Sequence, residues 1–199
     1  MQINKEFLKS LNPCANRYEN YLEHNADFSG SFSDFLELPN VAYSDKSWVA
    51  EKILNKNQAV KWAILCAQSV IHVFEAKNTD DKILNNCINF LKTVNDFDNL
   101  TDTEKLEIKK HLDIIRDYYT AQYATDALYT VYATNAVYAV CAAAHAAHYT
   151  IRATRFAASA TIAATYAARS AKNAGEDADA AQQNQEALNL QFLKQVTSL

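Results

Sequence analysis

The sequence predicts an all-α protein, a multi-helix bundle with closely packed Ala-rich helices, and three observations predict it. The 199 residues include only two Gly and two Pro, which leaves the turns to Asn, Asp, Ser and Thr and disfavours a sheet with tight hairpins. From Ser47 onward apolar residues recur at spacings of three and four, the period of one face of a helix. Between 121 and 174, 21 of 54 residues are Ala and none is Gly or Pro, and Ala has the highest intrinsic helix propensity. The expectation is one domain, 1–199, of roughly seven to nine helices. It divides into an irregular, short-helix N-terminal region (1–46), bulky core helices (47–119) and an Ala-rich helical half (120–199).

The elements follow in order. In the first region Pro13, Gly30, Pro39 and scattered aromatics (Tyr18, Tyr21, Phe28, Phe32, Phe35) suggest short helices joined by loops. The run at 33–39 reads as one turn of helix with Ser33 as cap and Pro39 as stop. Asn57 is placed to cap a core helix that buries Val60, Ile64, Ala67, Ile71 and Phe74, with Trp62, Cys66 and Val73 widening the face. Thr79 and two Asp start the next helix, whose stripe is Ile83, Leu84, Cys87, Ile88, Leu91 and Val94, and whose end lies in the polar run Asn95–Asn99. Thr101 and Glu104 have the spacing of a capping box, with Leu106, Leu112, Ile115 and Tyr119 continuing the pattern.

One helix over 121–174 would be about 80 Å long, roughly twice the diameter of a compact domain of this size. A break is therefore expected, at Thr134-Asn135 or at Tyr149-Thr150, where short polar or β-branched side chains weaken the helix. Gly175 suits a left-handed cap, after which a final helix runs through Leu188, Phe192 and Val196.

Stepping by four and three from Ala139 gives Ala143, Ala146, Thr150, Ala153, Ala157, Ala160, Ala164, Ala167, Ala171 and Ala174, an unbroken seam of small residues. Such a seam lets helices approach closely and gain dispersion contacts through proximity. A second phase collects Cys141, His145, His148, Arg152, Arg155, Ser159, Ile162, Tyr166 and Arg169. If the helix breaks near Thr150, the histidines and arginines sit on successive helices that can converge in a hairpin. Two readings of this stripe stand side by side. It can be the solvated face of an amphipathic helix, its arginines paired with Glu176, Asp177 or Asp179. It can also be a cationic recognition surface for an acidic protein or a phosphate-bearing ligand, since Arg and Tyr are enriched at binding hot spots. The candidate partner-binding residues are His145, His148, Arg152, Arg155, Tyr166 and Arg169.

Several functions are disfavoured. A net charge of −4 does not suit a protein that coats nucleic acid. Residues 127–151 carry no charge but are too rich in Thr, Asn and His for membrane insertion. Cys14, Cys66, Cys87 and Cys141 form no CxxC pair and suggest neither a disulfide scaffold nor a zinc knuckle. The opening MQINKEFLKSLNPC has no apolar signal core, which fits a cytoplasmic protein or one secreted without a cleaved signal. Cys141, His145 and His148 are of zinc-ligand type, but no fourth ligand is visible, and His72-x-x-Glu75 reverses the order used in di-iron bundles. No HExxH, P-loop, GxSxG or GxGxxG occurs. The expectation is accordingly no enzyme, no metal and no cofactor.

DKSWVAEKIL at 45–54 and KWAILCAQSVIHVFEA at 61–76, followed by the acidic turn 79–81 and the Ala-rich half, resemble the immunity proteins of the Imm-5-like family of bacterial polymorphic toxin systems. The resemblance covers roughly residues 41–199 and is carried by the 45–81 part. Members of that family usually have prolines around the acidic turn, where Asn78 and Lys82 stand here. The resemblance implies a bacterial immunity protein that binds and neutralises a cognate toxin without catalysis, and it supplies no catalytic motif. The alternatives are an all-α scaffold using the Ala seam as a subunit interface, and a metal-dependent hydrolase using Cys141, His145 and His148.

Overall fold

The computed structural model describes residues 1–75, 82–123, 130–149, 152–171 and 178–198, with the side chains of all but 119–123, 130–134, 170 and 171. Ten helices and two three-residue strands are formed by these residues, and the fold is all-α. No helix among the described residues is long and apolar enough to cross a membrane. Where the sequence suggests one domain, the chain separates into two compact units, Met1–Ile53 and Leu54–Leu199. The expected boundary at 46/47 falls inside a helix of the first unit. The physical reason lies in the N-terminal aromatics: Tyr18 stacks on Tyr21, and Phe35 contacts Tyr21, Phe28 and Phe32 with ring centroids 6.2–6.5 Å apart, giving this segment a cluster of its own.

The first unit runs β1 (Gln2–Asn4), α1 (Lys5–Ser10), α2 (Ala15–Asn25), β2 (Ser29–Ser31), α3 (Phe32–Leu36) and α4 (Tyr43–Ile53). β1 and β2 pair antiparallel, with Ile3 opposite Gly30. A Cβ at Gly30 would lie 2.9 Å from the ring tip of Phe28, so a larger residue there would have to displace that ring. Asn4 caps α1 by accepting from the Phe7 N–H at 2.8 Å. After α1, Asn12 takes φ 60°, a left-handed position that Asn tolerates. The cap of α3 is Ser31, not Ser33. The Ser31 hydroxyl accepts from the Asp34 N–H at 3.1 Å, and the Asp34 carboxylate accepts from the Ser31 N–H at 2.8 Å, a reciprocal box. Ser33 lies within the helix.

The second unit contains α5 (Lys56–Glu75), α6 (Ile83–Thr93), α7 (Asp102–Tyr123), α8 (Thr130–His148), α9 (Ala153–Ala171) and α10 (Ala178–Thr197). α5 is its centre and packs on α6, α8, α9 and α10. The expected face, Val60, Trp62, Ile64, Cys66, Ala67, Ile71, Val73 and Phe74, is buried throughout. The cap is again shifted by two residues: Asn55 accepts from the Gln58 N–H at 2.9 Å and Gln58 accepts from the Asn55 N–H at 3.2 Å. Asn57 instead ties down the loop after α6, donating to Asp96 and Asp98 and accepting from the Phe97 N–H at 2.7 Å. Hydrogen bonds from Asn57, Asn99 and the Asp98 backbone hold the Asp96 carboxyl down to about 2.

The Thr101–Glu104 capping box is present, with Glu104 accepting from the Thr101 N–H at 2.8 Å and Thr101 accepting from the Glu104 N–H at 3.2 Å. Among the described side chains of α7, Ile108 and Ile115 are buried, Leu112 is half-buried and Leu106 is 67 % exposed, while the side chain of Tyr119 lies outside the described residues. α10 also faces inward on another phase: Gln185, Asn189, Leu193 and Val196 are buried, with Leu188 and Phe192 only half-buried. α6 is described from Ile83, and the expected helix start at Thr79 and cap at Gly175 lie outside the described residues.

Asn189 is the hub of a buried polar network. Its backbone carbonyl accepts from Trp62 Nε1 at 2.9 Å, and its side-chain amide donates to the Thr161 carbonyl at 3.1 Å and to Thr165 Oγ1 at 3.3 Å. Gln185 donates to Asn189 Oδ1 and to Ser69 Oγ, both at 2.8 Å. Satisfied buried groups of this kind fix the register of α5, α9 and α10.

Candidate partner-binding site

The Ala-rich segment breaks at one of the two expected places. α8 runs through Thr134-Asn135 without interruption and ends at His148, its last turn closed by the Tyr149 N–H donating to the His145 carbonyl at 2.9 Å. α9 begins at Ala153. Tertiary packing overrides the weak helix propensity of Thr134 and Asn135 because Ala136 and Ala139 beside them are completely buried. α8 and α9 form a hairpin and pack on each other and on α5. Ala139, Ala143, Ala146, Ala153, Ala157, Ala160, Ala164 and Ala167 are at most 2 % exposed. The seam is therefore filled from within the chain, and the feature on which the scaffold alternative rested is consumed by its own fold. Thr150 and Ala174 lie outside the described residues, as does the side chain of Ala171.

Burial of the seam turns the other phase outward. An open groove of about 770 Å³ lies between α7, α8 and α9. From the stripe it receives Cys141, His145, His148, Ser159, Ile162 and Tyr166; α8 adds Asn135, Val137 and Tyr138, and Tyr149 and Phe156 stand at the turn. α7 supplies the opposite wall with Lys109, Leu112, Asp113, Ile115 and Arg116. Four side chains stand out: Tyr138, Tyr149, Ile162 and Tyr166 are large, apolar and 47–54 % exposed, and all four line this one groove.

At the hairpin turn the rings form a cluster. His145 stacks on Phe156 with centroids 5.2 Å apart and on Tyr149 at 5.8 Å, Tyr149 stacks on Phe156 at 5.7 Å, and His148 meets Tyr149 edge-on at 4.9 Å. His145 Nδ1–H donates to the Cys141 carbonyl at 2.9 Å, which puts its proton on Nδ1 and leaves Nε2 as an acceptor. Burial lowers the pKa of His145, against that hydrogen bond and with the help of His148, so the ring is neutral at neutral pH. Burial also pushes the Cys141 thiol up to about 12, and the group is an unreactive thiol.

The predicted site residues separate into two sets. His145, His148 and Tyr166 come together in the groove. Arg152, Arg155 and Arg169 are exposed and are not part of its lining. Arg169 is anchored to α10, donating to Gln182 at 3.0 Å and pairing with Asp179 at 3.4 Å. This pairing is one of those the solvated-face reading anticipates. Cys141, His145 and His148 are not grouped as a ligand set: among the described residues no three His, Cys, Asp or Glu side chains are placed to hold a metal ion.

Sequence periodicity misses Tyr138, the turn residues Tyr149 and Phe156, and the α7 wall. Tyr138 lies three residues before Cys141 and would have joined the stripe had it been extended one step backward. The α7 wall has no signal in the Ala-rich segment, because it is brought there by the packing of α7 on α8. The chain matches no family model, no curated protein and no solved structure.

Proposed function

We propose that this chain is a bacterial immunity protein that acts in the cytoplasm, binding and blocking a cognate toxin without catalysis and without a cofactor, through the groove between α7, α8 and α9. The observation that carries this reading is the convergence of Tyr138, Tyr149, Ile162 and Tyr166 on one open groove. Exposed large apolar side chains gathered in one place mark interaction surfaces, whereas scattered ones do not. Tyrosines supply rigid amphipathic contact area, and the floor of Val137, Ala142 and Ile115 offers a dry centre of the kind that hot spots need. The resemblance at 45–81 supplies the class of partner. Arg152 and Arg155 lie on the same hairpin beyond the groove, where charges steer encounter and raise the on-rate more than they hold the complex.

The test is protection of a host expressing the toxin encoded beside this gene. Wild-type protein is expected to protect and to co-purify with the toxin. Ile162→Glu with Tyr166→Ala is expected to abolish both, while Arg152→Glu with Arg155→Glu slows association with a smaller loss of protection. Full protection by the Ile162/Tyr166 variant would remove the groove from the contact, and a neighbouring gene without toxic activity would remove the immunity role.

A further inference from the structure

His145 holds one hydrogen-bonding atom that the fold leaves unused. Its ring is half-buried in the wall of the groove between α7, α8 and α9, stacked on Tyr149 and Phe156. The Cys141 carbonyl can only accept, so the 2.9 Å contact fixes the ring proton on Nδ1 and leaves a lone pair on Nε2. Nε2 meets no hydrogen-bond partner among the described residues, and it is not enclosed as the unpartnered His148 Nδ1 is. Water therefore satisfies it in the free protein, and a partner that covers the hairpin end of the groove removes that water. Burying Nε2 without a donor would cost about 1–3 kcal/mol, so the covering surface has to donate.

The charges around the groove select the donor. Asp113, the single carboxylate among the described residues of the lining, is paired with Arg116 at 2.9 Å. Lys109 on the same wall, and Arg152 and Arg155 at the N-terminal end of α9, have no carboxylate partner among the described residues. A cationic donor is disfavoured against these like charges, and neutral donors remain. The rings of Tyr149 and Phe156 beside His145 favour an aromatic body, and Trp and Tyr combine such a body with a neutral N–H or O–H. With the groove taken as the contact surface, on which this inference rests, we infer that the partner seats a Trp or Tyr side chain at the hairpin end, its N–H or O–H donating to His145 Nε2. His145 is then a specificity-determining residue, because a partner without that donor leaves a buried acceptor unpaired.

Indole and N-methylindole have nearly the same shape and differ in the donor. Each is titrated into the full-length protein and followed on the imidazole nitrogen resonances of His145. Indole is expected to shift Nε2 and to bind about tenfold tighter than N-methylindole, the worth of one net hydrogen bond. His145→Phe, which keeps a stacked ring and removes the acceptor, is expected to bring the two probes to equal affinity. Acidifying the wild-type protein until the His145 resonances show both nitrogens protonated is expected to abolish the preference without any substitution, since Nε2 is then a donor itself. Equal binding of the two probes to wild-type protein, a preference that survives His145→Phe or the protonation of His145, or an Nε2 resonance that indole does not move would each overturn the contact. Capture of the toxin encoded beside this gene separates the contact from the groove. There His145→Phe is expected to weaken binding about tenfold, where Ile162→Glu with Tyr166→Ala abolishes it. Abolition by that pair together with full capture by His145→Phe would keep the groove and overturn the contact at His145.

Discussion

α5 and the α8–α9 hairpin share one core and fill it by opposite means. α5 contributes bulk: Trp62, Ile64, Val70, Ile71 and Phe74 are buried to within 4 %, and each removes a large apolar surface from water. The hairpin contributes proximity, because a seam of Ala lets backbones approach until small side chains and main chain make the dispersion contacts. The two regions therefore have opposite weaknesses. Bulk is lost by truncation, and proximity is lost by enlargement.

Trp62→Ala should show the largest effect of any single change in the helical unit. It empties a fully buried site and leaves the Asn189 carbonyl without the indole donor that reaches it at 2.9 Å. A loss of about 3–5 kcal/mol is expected in urea-denaturation stability, enough to consume much of what a domain has. Ala143→Leu attacks the other region from the opposite direction. Ala143 is completely buried, and added methylenes there force the helices apart, with an expected loss of about 1–3 kcal/mol. If Ala143→Leu were tolerated and Ala143→Gly were the damaging change, the seam would be a consequence of helix propensity and not of close packing.

The same contrast decides what could be read from the sequence. Bulky periodicity is legible: the α5 face is buried as the spacing of Val60, Ile64, Ala67, Ile71 and Phe74 predicts, because large apolar side chains have only one place to go. The Ala seam is legible for the related reason that its phase holds only small residues, Thr150 its single polar one, and no charge contradicts it. Caps within polar runs are not. Ser31, Ser33, Asn55 and Asn57 are equivalent to a rule that asks for a short polar side chain before a helix, and backbone geometry alone selects Ser31 and Asn55. The strands are silent because SGS at 29–31 carries no alternation. The groove was half legible, since periodicity along one helix finds the residues that share its face and cannot find the wall that α7 brings from elsewhere in the chain.

A pH series separates the two faces of the hairpin, for the Ala seam contains no titratable side chain and the groove face does. His145 in the groove has its pKa lowered by burial; His111, on α7 outside the groove and against Phe90, is lowered likewise, against the attraction of Glu107, and adds a background fall common to both faces. The unfolded chain then binds protons at a higher pH than the folded one. This contribution to stability is complete above about pH 6.5, the unfolded value, and is lost as pH falls through the lower folded values. Denaturation midpoints should therefore fall between pH 7 and pH 5, and His145→Gln should flatten part of that fall. An unchanged slope in the variant would place the acid sensitivity elsewhere.

The smallest expected stability effect is the most informative one for function. Tyr138 and Tyr166 are 54 % and 50 % exposed, and truncating exposed side chains away from special backbone features changes stability by about 0.5 kcal/mol or less. Tyr138→Ala with Tyr166→Ala should accordingly leave the urea midpoint almost unmoved while weakening partner capture by about 2 kcal/mol or more, the scale of a hot spot. Enlargement cannot be tolerated on the seam and truncation should be harmless on the groove, although both faces belong to the same two helices. A fold does not itself require large aromatic side chains on its exposed face. If the double variant were instead strongly destabilised with binding intact, Tyr138 and Tyr166 would belong to the packing of the hairpin, and the comparison would reduce to two kinds of core.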